Sequence, residues 1–253
     1  MDELLHDQIR DVGDAHWWYE GRRRVIEAEL ARWLTPGSKL LEVGCGSGSL
    51  LGSLARYGTV EGIEPNEGAV EHCRQHHAEV ATVRQGEVPA DLPADASYDV
   101  VAAFDVLEHL TDDHLAMEGI ASSLRPGGLF VATVPAFPSL WGRQDDLSHH
   151  QRRYRAATLT AAVRAAGLDV ERVTYFNTFL FPCIAVVRLA RRALDRLHRH
   201  PEVASSSDFD TGPTGRRTTA VLERVFAAER HLLRLTDLPF GVSLLVVARR
   251  PPA

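Results

Sequence analysis

The chain has 253 residues, of which 45% are hydrophobic and 25% charged, as is ordinary for a soluble globular protein. Its 34 acidic residues outnumber 28 basic ones, and a net charge of -6 argues against a nucleic-acid partner. The three cysteines are far apart and form no CxxC pair, which argues against a disulfide framework and a structural metal site.

Two features of the chain predict a cytoplasmic protein. The N-terminus has no apolar signal segment. The longest apolar run, at 176–187, is interrupted by Asn177, Thr178 and Pro182, so we expect no stable membrane insertion.

From residue 39 to about residue 130, apolar runs of strand length alternate with segments of helical period. Such alternation predicts a parallel sheet with helices on both faces. The predicted strands are 40–43, 59–63, 80–84, 98–104 and 129–134, and the predicted helices are 49–57, 67–77 and about 112–124.

The later part of the chain has a different pattern. It predicts a helix at 157–166, a strand at 170–175, helical sequence up to 235 and a last strand at 242–248. We expect this last strand to be an antiparallel edge, and the Ser-, Gly- and Pro-rich segment 201–215 to be a mobile loop. The predicted fold is therefore a doubly wound α/β fold with a mostly parallel seven-stranded sheet.

A glycine-rich turn, LEVGCGSG at 41–48, follows the first predicted strand. Gly44, Gly46 and Gly48 permit a tight turn and a close approach of a ligand to the backbone. In the dinucleotide fingerprint the third glycine comes one residue later, and Glu42 would repel a phosphate. A carboxylate suits the cationic methionine end of S-adenosylmethionine better. A plain structural turn is the alternative.

Two further acidic residues follow the next predicted strands. Glu64 ends the second strand, where a carboxylate can accept both ribose hydroxyl hydrogens of a nucleoside. Glu87 follows the third strand, where it could meet an adenine edge or be an ordinary surface acid.

The stretch DVLEHL at 105–110, followed by LRPGG at 124–128, resembles the seven-strand, Rossmann-like methyltransferase superfamily, in particular its ubiquinone-biosynthesis-type branch. A narrower group of bacterial relatives is similar at HWW (16–18), at GRR (21–23) and at several positions between 134 and 154. His149 departs from these relatives, which often have glycine at this position.

The resemblance implies an S-adenosylmethionine cofactor. By position it implies methionine contacts around Glu42 and the glycines, ribose binding by Glu64, and adenine binding near Glu87 and Val88. It also implies a pocket wall formed by Phe104 and Asp105. The order of the predicted elements indicates a domain at 37–253 with a helical insertion at about 178–236, and we expect residues 1–36 to form a helical lid.

The acceptor is expected at the carboxyl ends of the fourth and fifth strands. His109 and His150 are the candidate catalytic bases. The candidate substrate-binding residues are Trp18, Tyr19, Trp141, Asp145, Arg153 and Tyr154.

Each of these assignments has a structural alternative. His109 could cap or pack the start of a helix, and Asp145 could form an ion pair with Arg152 or Arg153. The aromatic residues at 16–19 could be core residues instead of part of a lid. The insertion could cap the acceptor pocket or form a homodimer interface.

The sequence therefore predicts a methyltransferase acting on a small molecule, such as one of secondary metabolism. A methyltransferase fold that catalyses another reaction, such as a polyketide cyclisation, is the alternative. An NAD-dependent oxidoreductase is disfavoured by the glycine spacing.

Overall fold

A computed structural model describes residues 16–197 and 216–252. The loop predicted at 201–215 and residues 1–15 of the predicted lid lie outside this range. One seven-stranded sheet forms the centre of the fold. Its strands are β1 (Ser38–Val43), β2 (Gly58–Glu64), β3 (Ala81–Gln85), β4 (Tyr98–Phe104), β5 (Leu124–Pro135), β6 (Asp169–Phe176) and β7 (Ser243–Arg249).

The helices connect these strands or precede them. They are α1 (Trp17–Trp33), α2 (Leu51–Leu54), α3 (Glu67–His76), α4 (Asp113–Ser123), α5 (Arg143–Leu147), α6 (Ala156–Ala165), α7 (Phe181–Leu197) and α8 (Arg216–Leu233). Short 3-10 turns lie at Ala55–Tyr57, Leu107–His109 and Pro138–Leu140. None of the helices within the described ranges combines the length and apolar composition that a membrane crossing requires.

The strand order β3-β2-β1-β4-β5-β7-β6 confirms the predicted mostly parallel sheet with an antiparallel last strand. The expectation that this strand forms an edge is wrong, because β7 lies between β5 and β6. Ser243 to Ala248 are all buried, as in a strand with neighbours on both sides. The edge strands are β3 and β6, which expose part of their residues.

Strand β5 begins earlier than predicted, at Leu124, which pairs with Tyr98 of β4 across a register shift. The Pro-Gly-Gly run, predicted as a helix stop, therefore belongs to the strand. Gly127 donates its N–H to the Arg250 carbonyl, and Arg250 donates to the Gly128 carbonyl, both at 2.9 Å.

Helix α1 is anchored to the body of the protein. Val25, Ile26 and Leu30 are fully or almost fully buried in the main core. Gly21 packs so closely on α8 that a Cβ there would lie 2.6 Å from the Phe226 ring. The start of this helix is thereby held in a fixed position relative to the sheet.

Candidate cofactor and acceptor site

The carboxyl ends of β1, β2, β4 and β5 lie at one edge of the sheet, because these strands run parallel. Glu42 is the second-last residue of β1, Glu64 ends β2 and Phe104 ends β4. Ligands of open parallel sheets bind beyond this edge. We therefore place the candidate site at the carboxyl ends of these strands.

The loop after β1 has three glycines in the left-handed region, with φ of +64° at Gly44, +54° at Gly46 and +87° at Gly48. A Cβ at Gly44 would lie 2.6 Å from Val106 Cγ2. At Gly46, by contrast, a Cβ would meet no atom of the described residues within 4 Å. The space on the Cβ side of Gly46 is thus open, which leaves room for a ligand to approach the Cα there.

The carboxylate of Glu64 ties this loop to β2. It accepts a hydrogen bond from the N–H of Gly46 at 2.9 Å and another from the N–H of Asn66 at 3.0 Å. The side chain is buried, and each oxygen retains capacity for a further donor such as a hydroxyl group.

Glu42 is buried, and its Oε2 has no hydrogen-bond partner among the described residues. Burial raises the pKa of Glu42 to about 8, although the nearby guanidinium of Arg22 opposes this shift. A buried carboxyl group with an open acceptor position favours a cationic ligand and disfavours a phosphate.

Arg22 is a site residue that the sequence prediction did not assign. Its Nη2 lies 2.6 Å from Asp105 Oδ2 and donates to Thr133 Oγ1 at 3.2 Å. Asp105 has a φ of +58°, and Thr133 supports it by donating its hydroxyl hydrogen at 3.1 Å. Helix α1 therefore fixes the residue that follows β4.

The neighbouring Arg23 has a different environment, because consecutive helical residues face different directions. It pairs with Glu20 and Glu27 at 2.9 Å on a more exposed face. The sequence distinguishes the two arginines only by their helical spacing. Arg22 lies one turn before the apolar Ile26, on the face that is buried, whereas Arg23 lies one turn before Glu27.

The residues predicted at the adenine end lie beyond β3. Val88 packs against the core, and the Glu87 side chain is exposed. The N–H of Glu87 donates to Asp91 Oδ2 at 2.7 Å, which fixes the backbone there. Adenine binding by Glu87 and Val88 remains a prediction, as does the wall formed by the buried Phe104.

Asp145 organises the loop after β5. Its carboxylate accepts hydrogen bonds from Arg153 Nε at 2.7 Å, from the Gly142 N–H at 2.7 Å and from His150 Nδ1 at 2.8 Å. Burial would raise the pKa of Asp145, but the bonds from His150 and Arg153 outweigh it and lower the pKa to about 2. The ion pair with Arg153, one of the two structural alternatives, is thus present in the fold.

The structure brings His109 and His150 together, with ring centroids 4.6 Å apart and planes at 82°. Burial and the neighbouring His150 lower the pKa of His109 to about 4. Beside them lies Glu108, which is 1% exposed. Burial and nearby Asp105 raise the pKa of Glu108.

His109 does not cap helix α4. The cap is Asp112, whose Oδ1 accepts the N–H of Leu115 at 2.9 Å, so the capping alternative for His109 is wrong. His109 instead ends the turn Leu107–His109, beyond the end of β4.

Trp18 and Tyr19 lie at the start of α1 and are half-buried. The Trp18 ring meets the Tyr19 ring edge-on at 5.0 Å, and the Arg22 guanidinium lies 5.5 Å from the Trp18 ring centre. Burial raises the pKa of Tyr19 to about 12. Trp18 therefore packs against both Arg22 and the Tyr19 ring.

Trp141 and Tyr154 both use their polar atoms within the protein. Trp141 Nε1 donates to Asp146 Oδ1 at 2.9 Å. The buried Tyr154 hydroxyl donates to Asp113 Oδ2 at 2.5 Å, and it thereby joins the loop after β5 to α4. Contact of either residue with an acceptor remains a prediction.

Comparison with known proteins identifies the family. Residues 18–173 match a family model described as a methyltransferase domain. A protein of Mycolicibacterium smegmatis named as an S-adenosylmethionine-dependent methyltransferase is 36% identical over 169 residues, which cover 64% of this chain and 63% of the relative. The chain thus spans less than two thirds of that relative's length.

A ubiquinone biosynthesis O-methyltransferase of Xanthomonas axonopodis is 32% identical over 167 residues, covering 59% of this chain and 70% of the relative. Among solved structures, the [4+2]-cyclase SpnF matches with a TM-score of 0.57 and 20% identity, covering 92% of this chain and 81% of SpnF. At this identity the likeness shows the fold alone.

Proposed function

Because the chain belongs to the S-adenosylmethionine-dependent methyltransferase family, we propose that it transfers a methyl group to a small-molecule acceptor, such as one of secondary metabolism. The binding of S-adenosylmethionine is supported above all by the buried carboxyl group of Glu42, whose Oε2 has no hydrogen-bond partner within the described ranges. Four residues further along the chain, the Cβ side of Gly46 is open, since a Cβ there would meet no atom of the described residues within 4 Å. A cationic methionine group fits this position, and a pyrophosphate does not.

The cofactor supplies an electrophilic methyl group on a sulfonium. In our proposal, Gly44, Gly46 and Gly48 accommodate its methionine part together with Glu42. Glu64 binds the ribose hydroxyl groups, for which its oxygens have capacity.

The far end of the same pocket holds the nucleobase. We assign adenine to Glu87 and Val88, and the adjacent wall to Phe104 and Asp105. Support comes from their positions after β3 and β4, at the edge where Glu64 ends β2.

The acceptor lies in our proposal beside His109 and His150, which handle the proton that a hydroxyl or amine nucleophile must lose. Trp18 and Tyr19 close this space from α1, and we assign residues 1–36 the role of a lid. Methyl transfer gains most from positioning and from excluding water, which suits such a closure.

In our proposal the loop after β5 forms the wall of the acceptor pocket. The residues that we assign to this wall are Trp141, Asp145, Arg153 and Tyr154. Asp145 orients His150 at 2.8 Å and holds Arg153 at 2.7 Å. We also propose a cytoplasmic location and a homodimer formed through the helical insertion.

The test is a mass-spectrometric screen with cofactor that carries a deuterated methyl group. The protein is incubated with hydroxyl-, amine- and carbon-nucleophile acceptors. We expect one acceptor class to gain the labelled methyl group. Consumption of an acceptor with unchanged mass would contradict the proposal and support cyclisation or isomerisation instead.

A further inference from the structure

Glu108, His109 and His150 each offer one potential ligand atom, and these atoms all lie within 4.8 Å of one another. The composition and cysteine spacing led us to expect no metal, but these three side chains form a different kind of site. We propose that they bind a divalent first-row metal ion such as Zn²⁺ or Mn²⁺. Metal binding itself is independent of the proposed function, whereas the role of the ion in catalysis rests on that function.

The donor set has the composition of a catalytic metal centre. Two imidazole nitrogens and one carboxylate oxygen are a known ligand set for such ions, and three protein ligands leave a position open for substrate. The residues come from two segments, since His150 lies in the loop after β5 and the other two in the turn after β4. The site therefore depends on the fold and not on a local sequence motif.

One of the two histidines, His150, is oriented by a hydrogen bond to its other ring nitrogen. His150 Nδ1 lies 2.8 Å from Asp145 Oδ1, and because Asp145 is an ionised acceptor, this nitrogen carries the hydrogen and leaves Nε2 available. A carboxylate that accepts a hydrogen bond from the second ring nitrogen is a usual partner of a metal-binding histidine.

Glu108 supplies the independent observation. Its side chain is 1% exposed, and Oε2 has no hydrogen-bond partner among residues 16–197 and 216–252. A carboxylate without a partner is costly to bury, and a bound cation would remove that cost.

With the ion bound, His109 and His150 serve as its ligands, and the ion instead of either imidazole would activate the acceptor. A divalent cation is a Lewis acid that lowers the pKa of a hydroxyl group bound at its open position. The acceptor oxygen then bonds to the methyl carbon as the S–CH₃ bond breaks, which yields S-adenosylhomocysteine and releases one proton. The substrate class that fits is a small molecule with a hydroxyl group as its nucleophile.

The test is calorimetric titration of the full chain, after treatment with EDTA and dialysis, with ZnCl₂ and with MnCl₂. We expect a single site per chain, and we expect Glu108→Gln and His150→Asn each to weaken binding by about tenfold or more. His114→Asn, at an exposed position of α4, is the matched control and should bind as the wild type does. An absence of wild-type binding, or equal binding by all variants, would overturn the proposal.

Two further measurements keep the result interpretable. If a variant fails to fold, the absorption spectrum of wild-type protein loaded with Co²⁺ decides, because a four- or five-coordinate protein site gives visible bands much stronger than those of a hydrated, six-coordinate surface-bound ion. The same samples are titrated with S-adenosylhomocysteine. Binding of this ligand without metal binding contradicts the metal site alone, whereas loss of both in folded wild-type protein contradicts the proposed function too.

Discussion

Glu64, at the end of β2, accepts a hydrogen bond of 2.9 Å from the backbone N–H of Gly46 in the loop after β1. One side chain thus fixes the conformation of the glycine loop and also has capacity for ribose hydroxyl groups. Loop shape and nucleoside binding are therefore linked through the same carboxylate.

Gly46→Ala should weaken cofactor binding beyond its effect on stability. A side chain in left-handed backbone costs about 1–2 kcal/mol, and the added methyl group would occupy the space that the ligand approaches. Gly37→Ala is the strain-matched control, because Gly37 has a φ of +86° with no atom of the described residues within 4 Å. Urea unfolding and calorimetry measure the two effects. Equal affinities for S-adenosylhomocysteine in both variants would show that Gly46 does not face the ligand.

Glu42→Gln should flatten the pH dependence of stability. Burial raises the pKa of Glu42 from 4.5 to about 8, so between these values the folded chain keeps a proton that the unfolded chain releases. The free energy of unfolding of the wild type should therefore fall, relative to that of the variant, as the pH rises through this window. Urea unfolding at several pH values measures the difference. Parallel curves for the two proteins would argue against a protonated Glu42.

The raised pKa of Glu42 also predicts that a proton is released when the cofactor binds. A cationic ligand favours the ionised form of Glu42, so binding of S-adenosylmethionine near neutral pH should release a proton. Calorimetry in buffers of different ionisation enthalpy should show this release for the wild type and its loss in Glu42→Gln. Heats independent of the buffer in the wild type would be the opposing result.

Arg22→Met should destabilise the protein by about 1–3 kcal/mol, since it removes charged hydrogen bonds to Asp105 and Thr133. The Asp105 side chain is 25% exposed, which keeps the loss below that of a fully buried pair. Arg23→Met, on the exposed face of α1, should cost about 0–1 kcal/mol. Arg22→Lys should recover part of the loss. Denaturant titration measures the free energy of unfolding of each variant. A larger loss for Arg23→Met than for Arg22→Met would contradict the structural role assigned to Arg22.

Arg172→Met should loosen the attachment of α1. Arg172 Nη1 lies 2.5 Å from Glu29 of α1, and Nε lies 2.6 Å from Asp237 beyond α8. Removing one partner of a buried pair costs about 3–5 kcal/mol. Arg249→Met, which breaks an exposed pair with Glu171, is the control and should cost far less. Hydrogen exchange in α1 should rise only in the first variant, and unchanged protection there would contradict this role.

Most of the sheet could be predicted from the sequence because each strand of the parallel half has its own apolar run and turn signal. Periodicity says nothing about which strands are neighbours, so β7 was expected at an edge. Its continuous burial follows from its position between β5 and β6. The start of β5 was missed since Pro126, Gly127 and Gly128 are helix-stop residues. Here Gly127 and Gly128 form backbone hydrogen bonds with Arg250, directly after β7.

The site divides in a similar way. The glycine loop, Glu42 and Glu64 belong to local patterns that determine their position at strand ends. Arg22 was not assigned because its partner Asp105 is distant in sequence, and no local pattern reports such a contact. The buried state of Glu108 likewise depends on packing from several elements.

The central claim, that the edge formed by β1 and β2 binds S-adenosylmethionine, is tested most directly by calorimetric titration of the full chain with S-adenosylhomocysteine. We predict saturable binding at one site per chain. Glu64→Ala should weaken it by about tenfold to a hundredfold, because hydrogen bonds to a charged group contribute about 1.5–3 kcal/mol. Folded wild-type protein that binds neither S-adenosylhomocysteine nor S-adenosylmethionine would contradict the claim.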